Sequence, residues 1–315
     1  MLRCNGIAGG GAAVDGAFGG AAARPGALRL ERPAAAAIGA APQRRDGRMS
    51  QASANVNIMI KAARKAARSL LRDFGEVENL QVSSKGPGDF VSRADIRAEQ
   101  LIREELTEAR PNYGWLGEES GPEVKGADPT RRWIVDPLDG TTNFLHAIPH
   151  FAVNIALERE GQIVAAVTYN PITHDIFWAE KGRGAWLGNE KRLRVAARKH
   201  LDEALLATGI PFLGIPGHGQ FLKELHQITQ RVAGVRRYGA AALDLAWVAA
   251  GRFDGFWERG LKPWDTAAGL LMVTEAGGKV TDLKGQGAVM KILSPRTKGR
   301  ADGRLVNDVV RELLS

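Results

Sequence analysis

Three short segments of the chain place carboxylates in apolar or turn-forming surroundings. The first contains Glu118 and Glu119, the second contains Asp136 and Asp139, and the third contains Asp265. Each segment also has an ordinary structural explanation, because Asp-Pro and Asp-Gly pairs form turns and an acid before a helix can cap it. Taken alone, the spacing of Asp136 and Asp139 is therefore more often structural than functional.

The second segment, residues 133–143, favours a chemical role. Its apolar start predicts a short buried strand that delivers Asp136 to the strand's carboxyl end, and Gly140 permits close approach of the backbone. Backbone N–H groups at such a turn can bind phosphate, but the neighbouring acids would repel it. Divalent cations would reconcile the two features, and oxygen ligands without Cys or paired His select Mg²⁺ or Mn²⁺. The segment therefore predicts metal-assisted phosphoryl transfer.

The composition excludes several other classes of protein. The chain has 315 residues, of which 44% are hydrophobic and 25% charged, so we expect a globular protein of one or two domains. No apolar run reaches the length of a membrane span, and we expect no membrane association. The single cysteine, Cys4, excludes a disulfide scaffold and a thiolate metal cage within the chain. Walker-type and dinucleotide-binding glycine patterns are missing, which disfavours a kinase or a dehydrogenase.

Residues 1–48 differ in composition from the rest of the chain. They contain 10 Gly and 14 Ala, with seven Arg against three acids, and they show no apolar periodicity. We expect this extension to be disordered, because it cannot bury enough surface to offset its ordering entropy. It could be a start-site artefact with the true start at Met49, a targeting peptide, or a flexible tail with a partner. The artefact and a cytoplasmic location are favoured, because an apolar signal core and an amphipathic stripe are missing.

The remaining chain shows a mixture of helical and strand patterns. Apolar residues at three-and-four spacing predict helices over 55–74, 94–109, 217–232, 240–250 and 265–276. Strands are predicted over 133–135, 151–159 and 163–169, within 175–195, and as a pair near 204–208 and 253–257. The segment 85–95 is too rich in Gly and Pro for a helix. These elements indicate layered α and β structure, with runs of strands as well as alternation.

Together, the three acidic segments resemble the signature segments of the inositol monophosphatase family, and the bacterial SuhB-like branch is the nearest match. They are Gly117-Glu-Glu-Ser120, Trp133-Ile-Val-Asp-Pro-Leu-Asp-Gly-Thr-Thr-Asn-Phe-Leu-His146 and Trp264-Asp-Thr-Ala-Ala-Gly-Leu-Leu-Met-Val-Thr-Glu-Ala-Gly-Gly278. The resemblance covers about residues 55–290. It implies an α+β sugar-phosphatase fold with α-β-α-β-α layers, formed by residues 49–315 in two sub-layers, roughly 49–195 and 196–315. It also implies an Mg²⁺-dependent, lithium-inhibited phosphomonoesterase that is usually a homodimer.

The resemblance further implies a metal centre. Glu118, Asp136 and the carbonyl of Leu138 would hold one Mg²⁺. Asp136, Asp139 and Asp265 would hold a second, so that Asp136 bridges the two ions. Glu118 would also help to bind a third, weaker ion, with Glu119 nearby.

Catalytic and substrate-binding roles follow from the same resemblance. Thr141, hydrogen-bonded to Asp95, would orient the attacking water, and Glu118 completes the catalytic set. The N–H groups of Gly140 and Thr141 would bind the phosphate, and Lys85 matches a lysine on a mobile loop. Asp139 and Asp265 would touch substrate as well as metal. The sugar side would be lined by Arg236, Gly239, Ala240, Ala241 and Glu258, with Glu258 accepting a ring hydroxyl.

One segment departs from the family pattern. The family's last strand is normally apolar, whereas residues 297–302 are polar and contain Gly299. A buried strand of this composition is disfavoured, so the prediction is a displaced or locally disordered C-terminal region. Every proposed metal ligand lies upstream of it.

Two hypotheses about function remain open. The first is hydrolysis of myo-inositol monophosphate or a related small polyol phosphate, since the run 141–144 matches the inositol branch. Phosphatases of the same fold for 3′-phosphoadenosine 5′-phosphate, histidinol phosphate or fructose 1,6-bisphosphate are its alternatives. The second hypothesis is a regulatory protein associated with RNA or transcription, and the net charge of +8 is its support from the sequence.

Overall fold

The computed structural model describes residues 52–76, 82–86 and 89–280, with side chains from 92 onward in the last range. The extension 1–48 and the polar segment 297–302 lie outside the described residues. No described helix is long and apolar enough to cross a membrane.

Two helices form the first layer, and both match the predicted spans. Helix α1 (Ala54–Phe74) begins at Ser53, whose side chain accepts a hydrogen bond from the Val56 N–H. Helix α2 (Arg93–Ala109) begins with a capping box at Ser92. Small buried residues let α1 pack closely, and they are Ala62, Ala63, Ala66 and Ala67.

The chain between these helices forms a strand pair. Strand β1 (Val82–Gly86) pairs in antiparallel fashion with β2 (Asp89–Ser92), and α2 follows directly. The prediction that residues 85–95 are not helical holds as far as Ser92. Helix α2 starts inside this segment because Ser92 supplies the cap that stops the strand and begins the helix.

Within the described residues, seven strands form the larger sheet in the order of the chain. They are β3 (Tyr113–Gly117), β4 (Asp128–Asp139), β5 (Ala152–Arg159), β6 (Gln162–Tyr169), β7 (Ile176–Glu180), β8 (Gly184–Leu187) and β9 (Lys191–Arg192). Strands β3 and β4 are parallel, and all later neighbours are antiparallel.

Strand β4 is much longer than the predicted span 133–135. Two residues of its polar first half, Arg131 and Arg132, pair with β5, and Arg132 lies opposite Glu158 with Nη2 3.0 Å from Oε2. This cross-strand ion pair extends the strand beyond its apolar centre. The predicted hairpin between β5 and β6 is confirmed. Its turn residues Glu160 and Gly161 both have positive φ, 53° and 74°, as a two-residue turn of this kind requires.

A second, smaller sheet is parallel and follows the order β11-β10-β12. Its strands are β10 (Leu205–Thr208), β11 (Gly234–Arg236) and β12 (Gly255–Trp257). The remaining helices are α3 (Thr141–Leu145), α4 (His218–Thr229), α5 (Ala241–Ala249) and α6 (Pro263–Glu275). Helix α6 begins two residues before the predicted start, because Pro263 fits the first turn, where its missing N–H is not needed.

The larger sheet is covered on both faces, which gives the layered α+β arrangement. Alternate residues of β4 point in opposite directions, so Trp133 and Val135 join the core beneath α1 and α2. Ile134 instead joins a second core formed with α5 and α6. Helix α5 is buried on nearly all sides, because it packs between the larger and the smaller sheet.

Close packing of α5 against α6 depends on Gly269. A Cβ at this position would lie 2.5 Å from Cβ of Leu245, an atom fixed by the backbone of α5. We expect Gly269→Ala to lower the free energy of unfolding by about 1–3 kcal/mol through overpacking. Gly219→Ala in α4 is the matched control, since nothing lies within 4 Å of a Cβ there. That variant should be neutral or up to about 1 kcal/mol more stable. Urea denaturation measures both, and equal effects would contradict the described packing.

Candidate active site

A tight turn after β4 brings the predicted phosphate-binding residues to the edge of the larger sheet. Gly140 has φ of 94°, a left-handed conformation, and a Cβ there would lie 3.1 Å from the carbonyl oxygen of His150. Glycine therefore allows the chain to turn from Asp139 into α3 beside the loop at His150. Thr141 becomes the first residue of α3.

Thr141 and Asp95 meet although 46 residues separate them. The Thr141 Oγ1 lies 3.0 Å from Oδ1 of Asp95 and 3.0 Å from the Leu138 carbonyl oxygen, so its single proton is donated to one of the two. The other Asp95 oxygen accepts from the N–H and the hydroxyl of Ser92, at 2.9 and 2.5 Å. Burial raises the pKa of Asp95, and the hydrogen bonds from Ser92 and Thr141 oppose that rise. The capping box of α2 thus also fixes the Thr141 hydroxyl.

Four acids from three elements lie close enough to repel one another. Burial is the largest influence on Asp136, which is 2% exposed, and it raises the pKa of this carboxyl well above its usual range. The charges of Glu118, Asp139 and Asp265 raise the Asp136 pKa further, as does a hydrogen bond with Glu118. Burial and the charge of Asp265 likewise raise the pKa of Asp139. The structure therefore brings together the acids that the sequence distributes over three segments.

Backbone N–H groups offset part of this repulsion. The Asp139 carboxylate accepts hydrogen bonds from Ala241 N at 3.2 Å and Ala242 N at 2.8 Å, at the start of α5. The Asp265 carboxylate accepts from Lys262 N at 2.6 Å, at the start of α6. Negative charge is stabilised at both positions, because the first N–H groups of a helix have no partner inside it.

The donor set of this site fits a hard divalent cation. Each of the largest charge contributions to the Asp136 pKa comes from another acid, so the buried charge favours a counter-ion. Only oxygen atoms are offered, which suits Mg²⁺ or Mn²⁺. Among the described residues, no group of three or more His, Cys, Asp or Glu side chains could hold an ion as placed. Carboxylates committed to backbone donors would therefore have to rotate to bind one.

A second acidic group lies beyond the carboxyl ends of the smaller sheet. Burial and then Asp265 raise the pKa of Glu258, which follows β12, to about 7. Burial and then Glu258 raise the pKa of Asp244 in α5 to about 8. Arg237 lowers both pKa values, so its positive charge lies near both carboxyls. Asp244 is 1% exposed, and its Oδ1 is buried without a hydrogen-bond partner.

Two of these residues were missed by the sequence reasoning. Asp244 is a lone acid in the apolar run Ala241–Ala249, and this contrast is the signal that could have revealed it. The predicted sugar-side residue Arg236 has an exposed guanidinium that hydrogen-bonds the Val235 carbonyl, whereas the charge of its neighbour Arg237 acts on both carboxyls. Which of two adjacent arginines lies near the carboxyls depends on how the strand ends, and the sequence pattern does not determine that.

The remaining predicted site residues lie around these two groups. Gly239, with φ of 80°, and Ala240 lead into α5. Asn143 Nδ2 donates to the carbonyl of Tyr238 at 2.7 Å, which ties α3 to this segment. The Glu119 N–H is bound by the buried Glu99 carboxylate at 2.7 Å. Lys85 lies in β1, and its side chain is outside the described residues.

Comparisons with known proteins identify the family. The sequence model of the inositol monophosphatase family matches residues 52–312. The chain is 74% identical over 226 residues to an inositol-1-monophosphatase of Caulobacter vibrioides, covering 71% of this chain and 88% of that protein. It is 46% identical over 233 residues to Nus factor SuhB of Pseudomonas aeruginosa, covering 73% and 86%. A crystal structure of extragenic suppressor protein suhB from Bartonella henselae is similar, with TM-score 0.73 and 54% identity over 83% of this chain and 98% of that one.

The raised pKa of Asp244 predicts a pH-dependent stability. Its folded-state pKa of about 8 exceeds the ordinary value of 3.8, so the folded protein holds this proton more tightly than the unfolded chain. The stability supplied by the proton is present below about pH 4 and is lost as the pH rises to about 8. The side chain in Asp244→Asn cannot ionise. Between pH 5 and 8, the unfolding free energy of this variant should therefore fall by roughly 1–3 kcal/mol less than that of the wild type.

Urea denaturation in EDTA at each pH measures this difference. The exposed Asp202, changed to Asn, is the matched control and should keep the wild-type dependence. An Asp244→Asn profile parallel to that of the wild type would contradict the assignment.

Proposed function

Because the chain belongs to the inositol monophosphatase family, we propose that it is an Mg²⁺-dependent phosphomonoesterase for myo-inositol monophosphate or a related small polyol phosphate. The chain is a phosphatase of this family, and the proposal concerns its substrate, its ions and the residues that act. One observation carries it: four mutually repelling acids meet around the buried Asp136 carboxyl. We further propose a cytoplasmic homodimer, as the family resemblance implies.

Two or three Mg²⁺ ions are proposed for the acidic group. Glu118, Asp136 and the Leu138 carbonyl would hold one, and Asp136, Asp139 and Asp265 would hold another. When bound, Mg²⁺ neutralises phosphate charge and activates water for attack. The protein's contribution is a set of oxygen ligands around the buried Asp136 whose mutual repulsion a bound cation would relieve.

The pair formed by Thr141 and Asp95 is proposed to orient the attacking water. The Thr141 hydroxyl donates its hydrogen bond to Asp95 or to the Leu138 carbonyl. A lone pair on Oγ1 is therefore left to accept a hydrogen bond from water. The water's own lone pair is then free to face the phosphorus atom. The N–H groups of Gly140 and Thr141 would bind phosphate oxygens, while the Glu258 carboxylate would accept a hydrogen bond from a hydroxyl group of the polyol.

A substrate panel tests the proposal. We expect Mg²⁺-dependent phosphate release from myo-inositol 1-phosphate, inhibited by Li⁺, with a higher kcat/KM than for the other esters. The panel includes 3′-phosphoadenosine 5′-phosphate, histidinol phosphate and fructose 1,6-bisphosphate, each of which would replace the polyol phosphate if it gave the highest value. Release of no phosphate from any of them would refute the proposal.

The bridging role of Asp136 gives a sharper prediction. Asp136→Asn should lower kcat/KM by about 10³-fold or more, because a neutral amide cannot balance two cations. The same variant should weaken Mg²⁺ binding measured by isothermal titration calorimetry. Asp202→Asn, which changes an exposed acid, should alter neither quantity. Wild-type activity in Asp136→Asn would show that the metal assignment is wrong.

A second candidate function is binding of RNA in a transcription-associated complex. It is supported by the net charge of +8 and by the similarity to Nus factor SuhB of Pseudomonas aeruginosa. Binding through phosphates releases counter-ions, so affinity for single-stranded RNA should fall steeply as salt rises. Fluorescence anisotropy at low and high salt measures it. If no RNA binding is detected at low salt, this second candidate function is wrong.

A further inference from the structure

The ends of β10 and β12 bring Gly209 beside Glu258. The two strands are parallel, with Thr208 in register with Trp257, and the Thr208 hydroxyl donates to the Trp257 carbonyl at 2.7 Å. The next residue on each strand is therefore delivered to the same edge of the smaller sheet. Residues at the carboxyl ends of parallel strands commonly face a ligand.

Gly209 leaves the space that the Glu258 carboxylate occupies. A Cβ at Gly209 would lie 1.9 Å from Cδ and from Oε1 of Glu258, and 2.2 Å from Oε2. These separations are far shorter than any contact between real atoms. The backbone of Gly209 is outside the left-handed region, and the three atoms nearest to a Cβ here all belong to the Glu258 carboxylate.

Glu258 depends on this space because other features of the structure do not fix its carboxylate. In the described part of the chain, burial and the charges of Asp265 and Arg237 act on the group, with no contribution from a hydrogen bond. Its oxygens are thus left to accept hydrogen bonds from a ligand. A site built to bind hydroxyl groups discriminates against analogues that lack them.

We propose that Gly209 is a positioning residue that, by presenting no side chain, leaves the space in which the Glu258 carboxylate can face the polyol and so favours polyhydroxylated phosphate esters. This inference rests on the proposed function. An alanine at Gly209 would move the far end of a flexible side chain, and the strands need not shift. The fold should therefore survive the substitution while the carboxylate leaves its position.

The test compares two esters in the Gly209→Ala variant of the full chain. We expect the KM for myo-inositol 1-phosphate to rise about tenfold or more, because a hydroxyl contact is lost. For p-nitrophenyl phosphate, which has no polyol hydroxyl, kcat and KM should change less than about twofold. Gly219→Ala, where a Cβ meets open space, is the matched control and should change neither ester's kinetics. An equal loss on both esters would overturn the inference.

A double-mutant cycle with Glu258→Ala identifies the route of the effect. If Gly209 acts through Glu258, then Gly209→Ala should not change the kinetics further in the Glu258→Ala background, because the carboxylate that a Cβ would meet is gone. Additive effects would contradict the proposal. Circular dichroism checks folding, and if Gly209→Ala does not fold, the double variant should. A double variant that also fails to fold would overturn the inference.

Failure of the two proposals can be distinguished. A wild-type protein inactive on every ester, with Mg²⁺ present, would refute the proposed function and this inference with it. An active wild type whose preference for the polyol ester is unchanged by Gly209→Ala would refute the inference alone.

Discussion

Repulsion among buried carboxylates is the constraint on which this site depends. Asp136 lies away from water and beside three other acids, so its charged form is disfavoured by burial and by its neighbours together. A protein gains nothing in stability from such an arrangement unless cations or protons neutralise it. The fold supplies backbone N–H donors: Leu138 N–H acts on Asp136, and N–H groups at the starts of α5 and α6 act on Asp139 and Asp265. The helices are thus placed with their partially positive ends toward the acids.

Buried polar contacts hold the larger sheet and α6 in the positions that the site requires. Asn154 in β5 donates to the Trp264 carbonyl at 2.7 Å, and Thr168 in β6 donates to Asn154 Oδ1 at 2.6 Å. Because both side chains are buried, breaking this chain of hydrogen bonds would leave polar atoms without partners. These hydrogen bonds connect the first turn of α6, and with it Asp265, to the sheet that carries Asp136.

The acidic group beside the smaller sheet is built on a different principle. Here the smaller sheet brings three strand ends to one edge, and the contacts depend on space as much as on charge. Glu258 occupies room that Gly209 leaves, and Arg237 offsets the negative charge that Glu258 and Asp244 share. The two acidic groups also act on each other, because the charge of Asp265 raises the pKa of Glu258.

Much of this protein was predictable from local signals in the sequence. Apolar spacing and a capping serine mark α1 and α2, and the pair Glu160-Gly161 marks a two-residue turn. The signature segments also identify the acids, because their residue types and order are specific in combination. These features depend on neighbours within a few positions of the chain, where side-chain periodicity and backbone preference act directly.

Other features were decided by tertiary structure alone. The full length of β4 depends on pairing with both β3 and β5, and the meeting of Gly209 with Glu258 depends on the register of strands 49 residues apart. The nearness of Arg237 to two buried carboxyls, and the burial of Asp244, follow from how two sheets enclose α5. The sequence by itself determined which groups could do chemistry, whereas distance, burial and register determined which of them meet, because those quantities exist only when distant segments pack together.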